Sequence, residues 1–234
     1  MPRRERKFET DEEKQVRAQE ARDKHLQTWV PKTAVGKMVQ NGEISSMDDF
    51  FSKGMRVMEP EIVDILLPGM TDKMVELRKT ARITRQGRSF SFRAAVLIGD
   101  GDSYIGIGTA KDRERFPALT KAMNNAKLSI IKVRKGCGSW ECRCKEHHSV
   151  PFKAEGNSSS VRVILLPAPK GTGLVVGEKI KDVLKFVGIK DVWSKTRGNT
   201  GSTLDFVCAA VNALAATNDV KYSEDMAKKL EERK

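Results

Sequence analysis

Residues 73–131 alternate between apolar and polar positions before changing to a helical period. The pattern predicts strands over 73–86 and 88–98, a turn at "GDGD" (99–102), and a third strand in "SYIGIGTAK". The segment "RERFPALTKAMNNAKLSII" then repeats apolar residues every three to four positions, as a helix with one buried stripe does. One face of the second strand and one stripe of the helix should be buried, formed by Phe90, Phe92, Ala94, Val96 and Ile98 and by Phe116, Leu119, Met123, Ala126 and Ile130.

A second unit with a different order of elements begins near residue 150. "VRVILLPAP" predicts a strand, "VVGEKIKDVLKFVG" a helix that ends at Gly188, "IKDVWSK" a strand and "STLDFVCAAVNALAA" a last helix. The predicted fold class is therefore α+β, with a β-β-β-α domain over 70–134 and a β-α-β-α domain over 150–217. Residues 135–149 form a Cys/His loop between the two domains.

The two ends of the chain are more highly charged. Residues 1–25 hold 15 charged side chains, so they bury too little apolar surface to fold alone. Residues 26–69 are more apolar, and Pro60 predicts the start of a short helix in "EIVDILL" that ends before Pro68. We expect 1–69 to be an extension that is ordered in part only within an assembly, and 218–234 to be a charged tail.

The charge of the protein points to a polyanionic partner. The 234 residues carry a net charge of +12, and residues 70–134 alone hold 14 basic and 6 acidic side chains. No apolar run reaches the ~20 residues that a membrane span needs, and the N-terminus lacks the apolar core of a secretory signal. We therefore expect a cytoplasmic protein with no membrane partner.

Four arginines lie between positions 82 and 93, where the first two predicted strands meet at "RQGR". Guanidinium groups match phosphate oxygens with paired hydrogen bonds. Folded RNA is recognised chiefly through its shape, phosphates and 2′-hydroxyls, so a rigid cationic hairpin suits it. Arginines that only keep an edge strand from aggregating would explain one or two of these cations, but not the whole group. Gln86 and Ser89 could add hydrogen bonds to sugars and base edges.

The segment "CGSWECRCKEHH" (137–148) gathers zinc ligands in the spacing C-x4-C-x-C-x3-H. Thiolate and imidazole are the groups that zinc prefers, so Cys137, Cys142 and Cys144 with His147 or His148 are candidate ligands of a structural zinc ion. Reduced cysteines in a loop without metal are the alternative. Cys208 lies in the apolar run "DFVCAAV" and is expected to be a core residue.

Motifs for nucleotide binding and catalysis are missing. "GTGLVVG" (171–177) has one residue too many for a dinucleotide fingerprint, and no phosphate loop occurs. Its glycines fit either a tight turn or a group of backbone amides that binds an RNA phosphate. No nucleophile–base or paired-carboxylate motif is present either, so we predict that the protein has no catalytic residues and is not an enzyme.

The segments "RQGRSFSFRAAVLIGDGDSYIGIGTAKDRE", "HSVPF", "LLPAPKGTGLVVG" and "GIKDVWSKTRGNT" together resemble the small-subunit ribosomal protein S-five family. The resemblance covers about residues 60–217. The N-terminal extension and "GCGSWEC" indicate the archaeal and eukaryotic branch. The resemblance implies that the first domain is related to double-stranded-RNA-binding domains and that the second has a left-handed crossover.

The resemblance also implies a function in the ribosome. The protein would bind small-subunit ribosomal RNA, contact the S-four protein and other small-subunit proteins, and support accuracy near the path by which mRNA enters, without forming a homo-oligomer. The resemblance favours His148 over His147 as the patterned histidine, although members of the family keep it without the cysteines. The predicted RNA-binding residues are Arg82, Arg85, Gln86, Gly87, Arg88, Ser89, Phe90, Arg93, Lys111, Lys195 and Arg197, and the predicted metal ligands are Cys137, Cys142, Cys144 and His148.

Two other functions stay open at this point. A free-standing RNA-binding regulator would also need the cationic hairpin, but it would fold and bind short duplexes without an assembly. A nucleotide-dependent RNA enzyme would need a phosphate loop that this sequence lacks.

Overall fold

The computed structural model describes residues 29–142, 144 and 146–219, and the chain divides into two compact units at residue 68. The first unit contains three short helices, α1 (Ala34–Gln40), α2 (Met47–Ser52) and α3 (Pro60–Leu66). Pro60 opens α3 and the helix ends before Pro68, as the sequence predicts. The charged segment 1–25 and all but the first two residues of the tail at 218–234 lie outside the described residues.

A buried carboxylate holds the first unit together. Glu59, only 9% exposed, accepts hydrogen bonds from the indole Nε1 of Trp29 at 3.0 Å and from the backbone amides of Lys32 and Thr33 at 3.0 and 2.7 Å. These bonds connect the chain ahead of α1 to the start of α3. The core beside them is apolar and consists of Val39, Ile44, Met47, Phe50, Val57, Ile62 and Val63.

The second unit begins with a four-stranded antiparallel sheet in the order β1-β2-β3-β4. Its strands are β1 (Thr71–Thr84), β2 (Gly87–Gly99), β3 (Tyr104–Asp112) and the short β4 (Ile131–Lys132), and helix α4 (Arg115–Leu128) lies between β3 and β4. The "GDGD" turn joins β2 to β3, and the Asp100 carboxylate accepts the backbone amides of residues 102, 103 and 104 at 2.8–3.0 Å. The predicted β-β-β-α order is therefore confirmed.

The predicted buried stripe of α4 is confirmed only in part, because Ala126 and Ile130 are buried, Leu119 and Met123 are half-buried and Phe116 is not buried at all. The buried residues are Ala118, Ala122 and Ala126, whereas Phe116 is 82% exposed. Gly108 of strand β3 explains why small residues of the helix are buried, because a Cβ at Gly108 would lie 2.2 Å from the backbone nitrogen of Ala126. The helix therefore lies directly on the backbone of β3, and only alanine fits between them.

Both faces of the first sheet are covered near the turn that joins β2 to β3. Val96 and Ile98 lie on the face of α4, as predicted, but Ala95 and Leu97 on the other face are buried as well. Leu97 and Ile105 belong to a core that continues into the second domain. The exposed end of the same strand reaches beyond this cover, which is why Phe90 is 45% exposed.

The second domain adds a mixed sheet in the order β5-β6-β8-β7 with two helices. The elements are β5 (Ala154–Ser158), β6 (Val161–Pro167), β7 (Leu174–Val175), α5 (Glu178–Val187), β8 (Val192–Arg197) and α6 (Thr203–Ala215), followed by a 3-10 turn at Ala216–Asn218. Gly188 ends α5 in the left-handed conformation, with φ of 75°, as predicted. The fold class is α+β with two sheets, while the hand of the crossover through α5 stays a prediction.

Strands β5 and β7 are missing from the sequence prediction. The sequence of β5, "AEGNS", has no apolar alternation, and its glycine is needed for packing. A Cβ at Gly156 would lie 2.2 Å from the backbone of both Ala209 and Ala213 in α6. Strand β7 has only two residues and pairs in parallel with β8. Across the described residues, none of the helices is both long and apolar enough to cross a membrane.

Candidate RNA interface and metal centre

The hairpin of β1 and β2 extends well beyond the packed part of its sheet. Pairing continues from Thr71 opposite Gly99 to Thr84 opposite Gly87, so that Arg85 and Gln86 form the turn. Residues 81–90, which we call the hairpin tip, are all exposed. Two threonines brace the two strands, because the Thr80 hydroxyl lies 2.9 Å from that of Ser91 and the Thr84 hydroxyl donates to the Gly87 carbonyl at 3.0 Å. The tip is thus a regular ribbon that projects its side chains into solvent.

The cations of the hairpin tip have no acidic partners in the described part of the chain. Arg82, Arg85 and Arg88 form no ion pair there, and no acidic residue occurs in 81–90. Gln86, Ser89 and Phe90 are exposed beside them, and the Lys79 ammonium lies 3.8 Å from the centre of the Phe90 ring. An ion pair would hold a guanidinium away from a phosphate, so unpaired arginines on a stiff support suit a polyanionic ligand.

Two other predicted residues lie further down the same sheet. Arg93 lies opposite Lys111 in the β2–β3 ladder. Its guanidinium lies 3.4 Å from Glu76, which also binds Arg78 at 2.8 Å. Lys111 is exposed and forms no ion pair within the described residues. Lys111 is therefore more available than Arg93 to bind an external anion.

The last two predicted RNA-binding residues belong to the other sheet. Lys195 and Arg197 are exposed on β8, where Arg197 lies opposite Arg162 of β6. Arg162 is paired with Glu155, but neither predicted residue forms an ion pair among the residues described. They add a second cationic position in the C-terminal domain, separate from the hairpin tip.

The glycine-rich segment 171–177 begins with a tight turn, and the amides of its first two glycines already have an acceptor. The amides of Gly171 and Gly173 donate to Oδ1 of Asp191 at 3.1 and 2.8 Å. Both glycines have positive φ values, 90° and 73°, which side chains rarely adopt. The alternative that these amides bind an RNA phosphate is therefore wrong, because a buried carboxylate of the chain occupies them.

The four predicted metal ligands come together in one cluster. One donor atom each from Cys137, Cys142, Cys144 and His148 lies within 4.8 Å of all the others, and we call this group the metal cluster. The Cys142 sulfur lies 3.0 Å from the Cys144 sulfur and 3.7 Å from Nε2 of His148. A tetrahedral zinc ion with sulfur at about 2.3 Å needs donor atoms about 3.8 Å apart, so small side-chain adjustments would complete such a site.

The three thiols influence one another strongly. The hydrogen bond with the Cys144 sulfur is the main cause that lowers the pKa of Cys142 to about 6. Burial, followed by the two neighbouring thiols, raises the pKa of Cys137 to about 12. Crowded thiols of this kind resist carrying several negative charges unless a cation compensates for them. The donor set therefore fits a divalent metal, and the cluster could hold one.

Backbone hydrogen bonds fix both ends of the segment that carries the cluster. Gly136 and Ser149 exchange two backbone hydrogen bonds of 2.9 Å, and the amide of Gly138 donates to Val150 at 3.2 Å. A Cβ at Gly138 would lie 2.1 Å from the Pro151 carbonyl oxygen, so this close approach needs glycine. Cys208 lies apart in α6, half-buried, and burial raises the pKa of its thiol.

Comparison with known proteins identifies the family. The model "Ribosomal protein S5, N-terminal domain" matches residues 70–134, and "Ribosomal protein S5, C-terminal domain" matches 156–230. The chain belongs to the ribosomal protein S5 family. This confirms the resemblance seen in the sequence, and with it the prediction of a structural protein that is not an enzyme.

Curated relatives support this membership over most of the chain. A "Small ribosomal subunit protein uS5" of Staphylothermus marinus is 51% identical over 82% of this chain and 90% of its own length. The protein of that name from Pyrobaculum calidifontis is 50% identical over 82% of this chain and 95% of its own. That of Methanothermobacter thermautotrophicus is 44% identical over 88% and 95%. Archaeal proteins stand among these relatives, as the predicted branch requires.

Asp191 is the functional-site residue that sequence reasoning misses. Its Oδ2 lies 2.8 Å from Nδ1 of His148, and both side chains are buried, at 4% and 3% exposure. The two residues are 43 positions apart, and Asp191 stands in the segment "GIKDVW", which contains no cysteine or histidine. A metal-ligating histidine almost always donates its other ring N–H to a carboxylate, a backbone carbonyl or water, and this general need is the one signal in the sequence that points to an acidic partner of His148.

Proposed function

We propose that this protein works in the cytoplasm as a structural component of the small ribosomal subunit, where its hairpin tip grips ribosomal RNA. The observation that carries this proposal is a set of three arginines, Arg82, Arg85 and Arg88, which have no acidic partner within 29–142, 144 and 146–219 and stand on a projecting two-stranded ribbon. Family membership supports a place in the ribosome, and the exposed cations of the projecting ribbon support contact with RNA through the hairpin tip. Lys111, Lys195 and Arg197 would add phosphate contacts elsewhere on the surface.

The physical basis is electrostatic and geometric. Each cation that neutralises a phosphate releases condensed counterions, so binding weakens as salt rises. Contacts of this kind fix position and orientation more than they select a base sequence. The paired strands hold the guanidinium groups in place before binding, so less conformational entropy is lost when they meet phosphates.

The test is an Arg85→Ala/Arg88→Ala variant, measured for binding to small-subunit ribosomal RNA at several salt concentrations. We expect weaker binding and a slope of log K against log salt that is smaller by about 1.8, or about 0.9 for each lost phosphate contact. A Lys179→Ala/Lys185→Ala variant, with both changes on the exposed side of α5, is the matched control for net charge. Equal losses in the two variants would contradict a special role for the hairpin tip.

We further propose contacts with the S-four protein, with other small-subunit proteins and with mRNA near the path by which it enters, in support of decoding accuracy. This part rests on the family alone. Co-sedimentation with small subunits in a sucrose gradient, followed by protein cross-linking, tests it. Cross-links to the S-four protein are the expected result, and a chain that sediments alone would favour a free-standing regulator.

We also propose that the metal cluster holds a structural zinc ion. Three thiols and one imidazole make a closed four-ligand set, which is typical of structural rather than catalytic zinc. Elemental analysis of the purified protein should find about one zinc per chain, and Cys142→Ser should abolish it. Cys208→Ser, which changes a cysteine outside the cluster, should keep the metal. A native sample without zinc would end this proposal.

A further inference from the structure

The buried pair of His148 and Asp191 carries an inference about how the metal cluster is built. We propose that Asp191 is a positioning residue, which keeps the proton of His148 on Nδ1 and leaves Nε2 free to bind the metal. The inference rests on the proposed zinc site and deepens it. It also makes the turn at 171–173 part of the support of that site.

The hydrogen bond between the two side chains sets the tautomer. An ionised carboxylate can only accept hydrogen bonds, so Nδ1 of His148, 2.8 Å from Oδ2, must be the donor. A neutral imidazole with its proton on Nδ1 has its lone pair on Nε2. This nitrogen lies 3.7 Å from the Cys142 sulfur, inside the metal cluster. In its neutral form the ring is therefore oriented with Nε2 free, as a metal ligand needs.

The other oxygen of Asp191 is held by the second domain. Oδ1 accepts the amides of Gly171 and Gly173, and these two bonds fix the rotation of the carboxylate. In addition, the amides of Lys190 and Asp191 donate to the carbonyl of His148 at 3.0 and 3.1 Å. Three segments that are distant in sequence thus meet at one carboxylate, and the metal cluster is connected to the turn before β7.

A competing explanation gives Asp191 a role in the fold alone. In that case it would anchor the 171–173 turn and accept a hydrogen bond from a histidine that never binds metal. The variant Asp191→Asn separates the two explanations. The amide oxygen of asparagine can still accept from Gly171 and Gly173, but its NH2 group is a donor that faces Nδ1. His148 would then have to accept at Nδ1 and carry its proton on Nε2, which blocks the metal position.

The experiment compares the full-length protein with Asp191→Asn and with the matched control Asp182→Asn, an exchange in α5 away from the cluster. Zinc affinity is measured by competition with a chelator, and the tautomer of His148 in metal-free protein by 15N NMR. We expect Asp191→Asn to bind zinc about 10- to 100-fold more weakly and to shift His148 to the Nε2–H tautomer. The wild-type protein and Asp182→Asn should show the Nδ1–H tautomer and the same affinity.

Each outcome decides something. If wild-type protein binds zinc and Asp191→Asn binds it equally well, Asp191 has no positioning role, while the zinc proposal stands. If wild-type protein binds no zinc, both proposals fail. The NMR measurement on metal-free wild-type protein does not depend on the folding of the variant, so it remains informative if Asp191→Asn loses zinc through poor folding. A wild-type His148 with its proton on Nε2 would overturn the inference by itself.

Discussion

The hairpin tip and the metal cluster use polar side chains in opposite ways. Residues 81–90 are exposed throughout and are held mainly by their own ladder, so their cations face outward, with no acidic partner among the residues that the structure describes. The cluster combines three half-buried cysteines with a buried histidine, which a buried aspartate joins to hydrogen bonds from other segments. A substitution in the hairpin tip should therefore weaken RNA binding and change the free energy of unfolding little. A substitution around the metal cluster should mainly lower the free energy of unfolding.

The strongest test of this contrast replaces one glycine with alanine in each region. At Gly138 the new Cβ would lie 2.1 Å from a backbone oxygen, while at Gly87 no atom lies within 4 Å. We expect Gly138→Ala to lower the free energy of unfolding by about 3 kcal/mol, because packed backbone must move. Gly87→Ala has only the strain of φ at 123° to accommodate and should cost about 1 kcal/mol.

Urea unfolding of both variants provides the measurement, with zinc content as a second readout. Gly138→Ala should lose zinc and Gly87→Ala should keep it. A loss of stability at Gly87 as large as that at Gly138 would show that the hairpin tip is part of the cooperative core, and the contrast would fail.

Chelation of the metal should speed amide exchange near the metal cluster and leave the hairpin tip unchanged. Without zinc, His148 and Asp191 lose a fixed neighbour, so the amides of Gly171 and Gly173 should exchange with solvent roughly tenfold faster. The amides of the hairpin tip should exchange at an unchanged rate. Hydrogen exchange followed by NMR, with and without chelator, checks this, and equal acceleration in both regions would contradict a local role for the metal.

Glu59 provides a carboxylate anchor without metal, for comparison with Asp191. Burial alone would raise its pKa, but hydrogen bonds from Thr33, Lys32 and Trp29 together lower the pKa of this carboxyl below its ordinary value of 4.5. The ionised form is therefore favoured in the folded state. Its contribution to stability is complete above pH 4.5 and is lost as the pH falls through the lowered pKa.

The indole N–H resonance of Trp29 reports on this anchor in an acid titration. We expect it to move toward its unfolded position only below pH 4.5, and Glu59→Gln to remove most of that step. A Trp29 resonance that already changes between pH 7 and 5 would show that another group controls this unit.

The smallest expected effect concerns the aromatic ring at the hairpin tip. The Lys79 ammonium over Phe90 contributes about 0.5 kcal/mol at an exposed site. Phe90→Leu and Lys79→Met should therefore show a coupling energy of this size in a double-mutant cycle of thermal unfolding. A coupling near zero would mean that the ribbon is held by its backbone ladder alone.

Local patterns in the sequence predict much of this molecule. The period of two identified β2 and β3, Gly188 marked the end of α5, and the spacing of cysteines and histidine picked out a set that the fold gathers within 4.8 Å. Each of these features depends on residues close together in sequence, where spacing translates directly into position.

The sequence predictions are wrong or incomplete where contacts between distant segments determine the structure. Phe116 is more apolar than the alanines of α4, yet Ala122 and Ala126 are the buried residues, because Gly106 and Gly108 of β3 bring the strand against the helix backbone at these two positions. Strand β5 forms for the same reason, since Gly156 fits against α6. Asp191 becomes visible only when folding brings it to His148. Composition and period cannot show such contacts.

The most direct test of the central claim is a photo-reactive residue placed at Gln86, at the hairpin turn, in protein incorporated into small subunits. We expect cross-links from this position to ribosomal RNA, and none to RNA above the background level from the same probe at Lys179 on α5. Cross-links from position 86 to protein alone, or to solvent only, would contradict the proposal that the arginine-bearing hairpin docks on folded RNA.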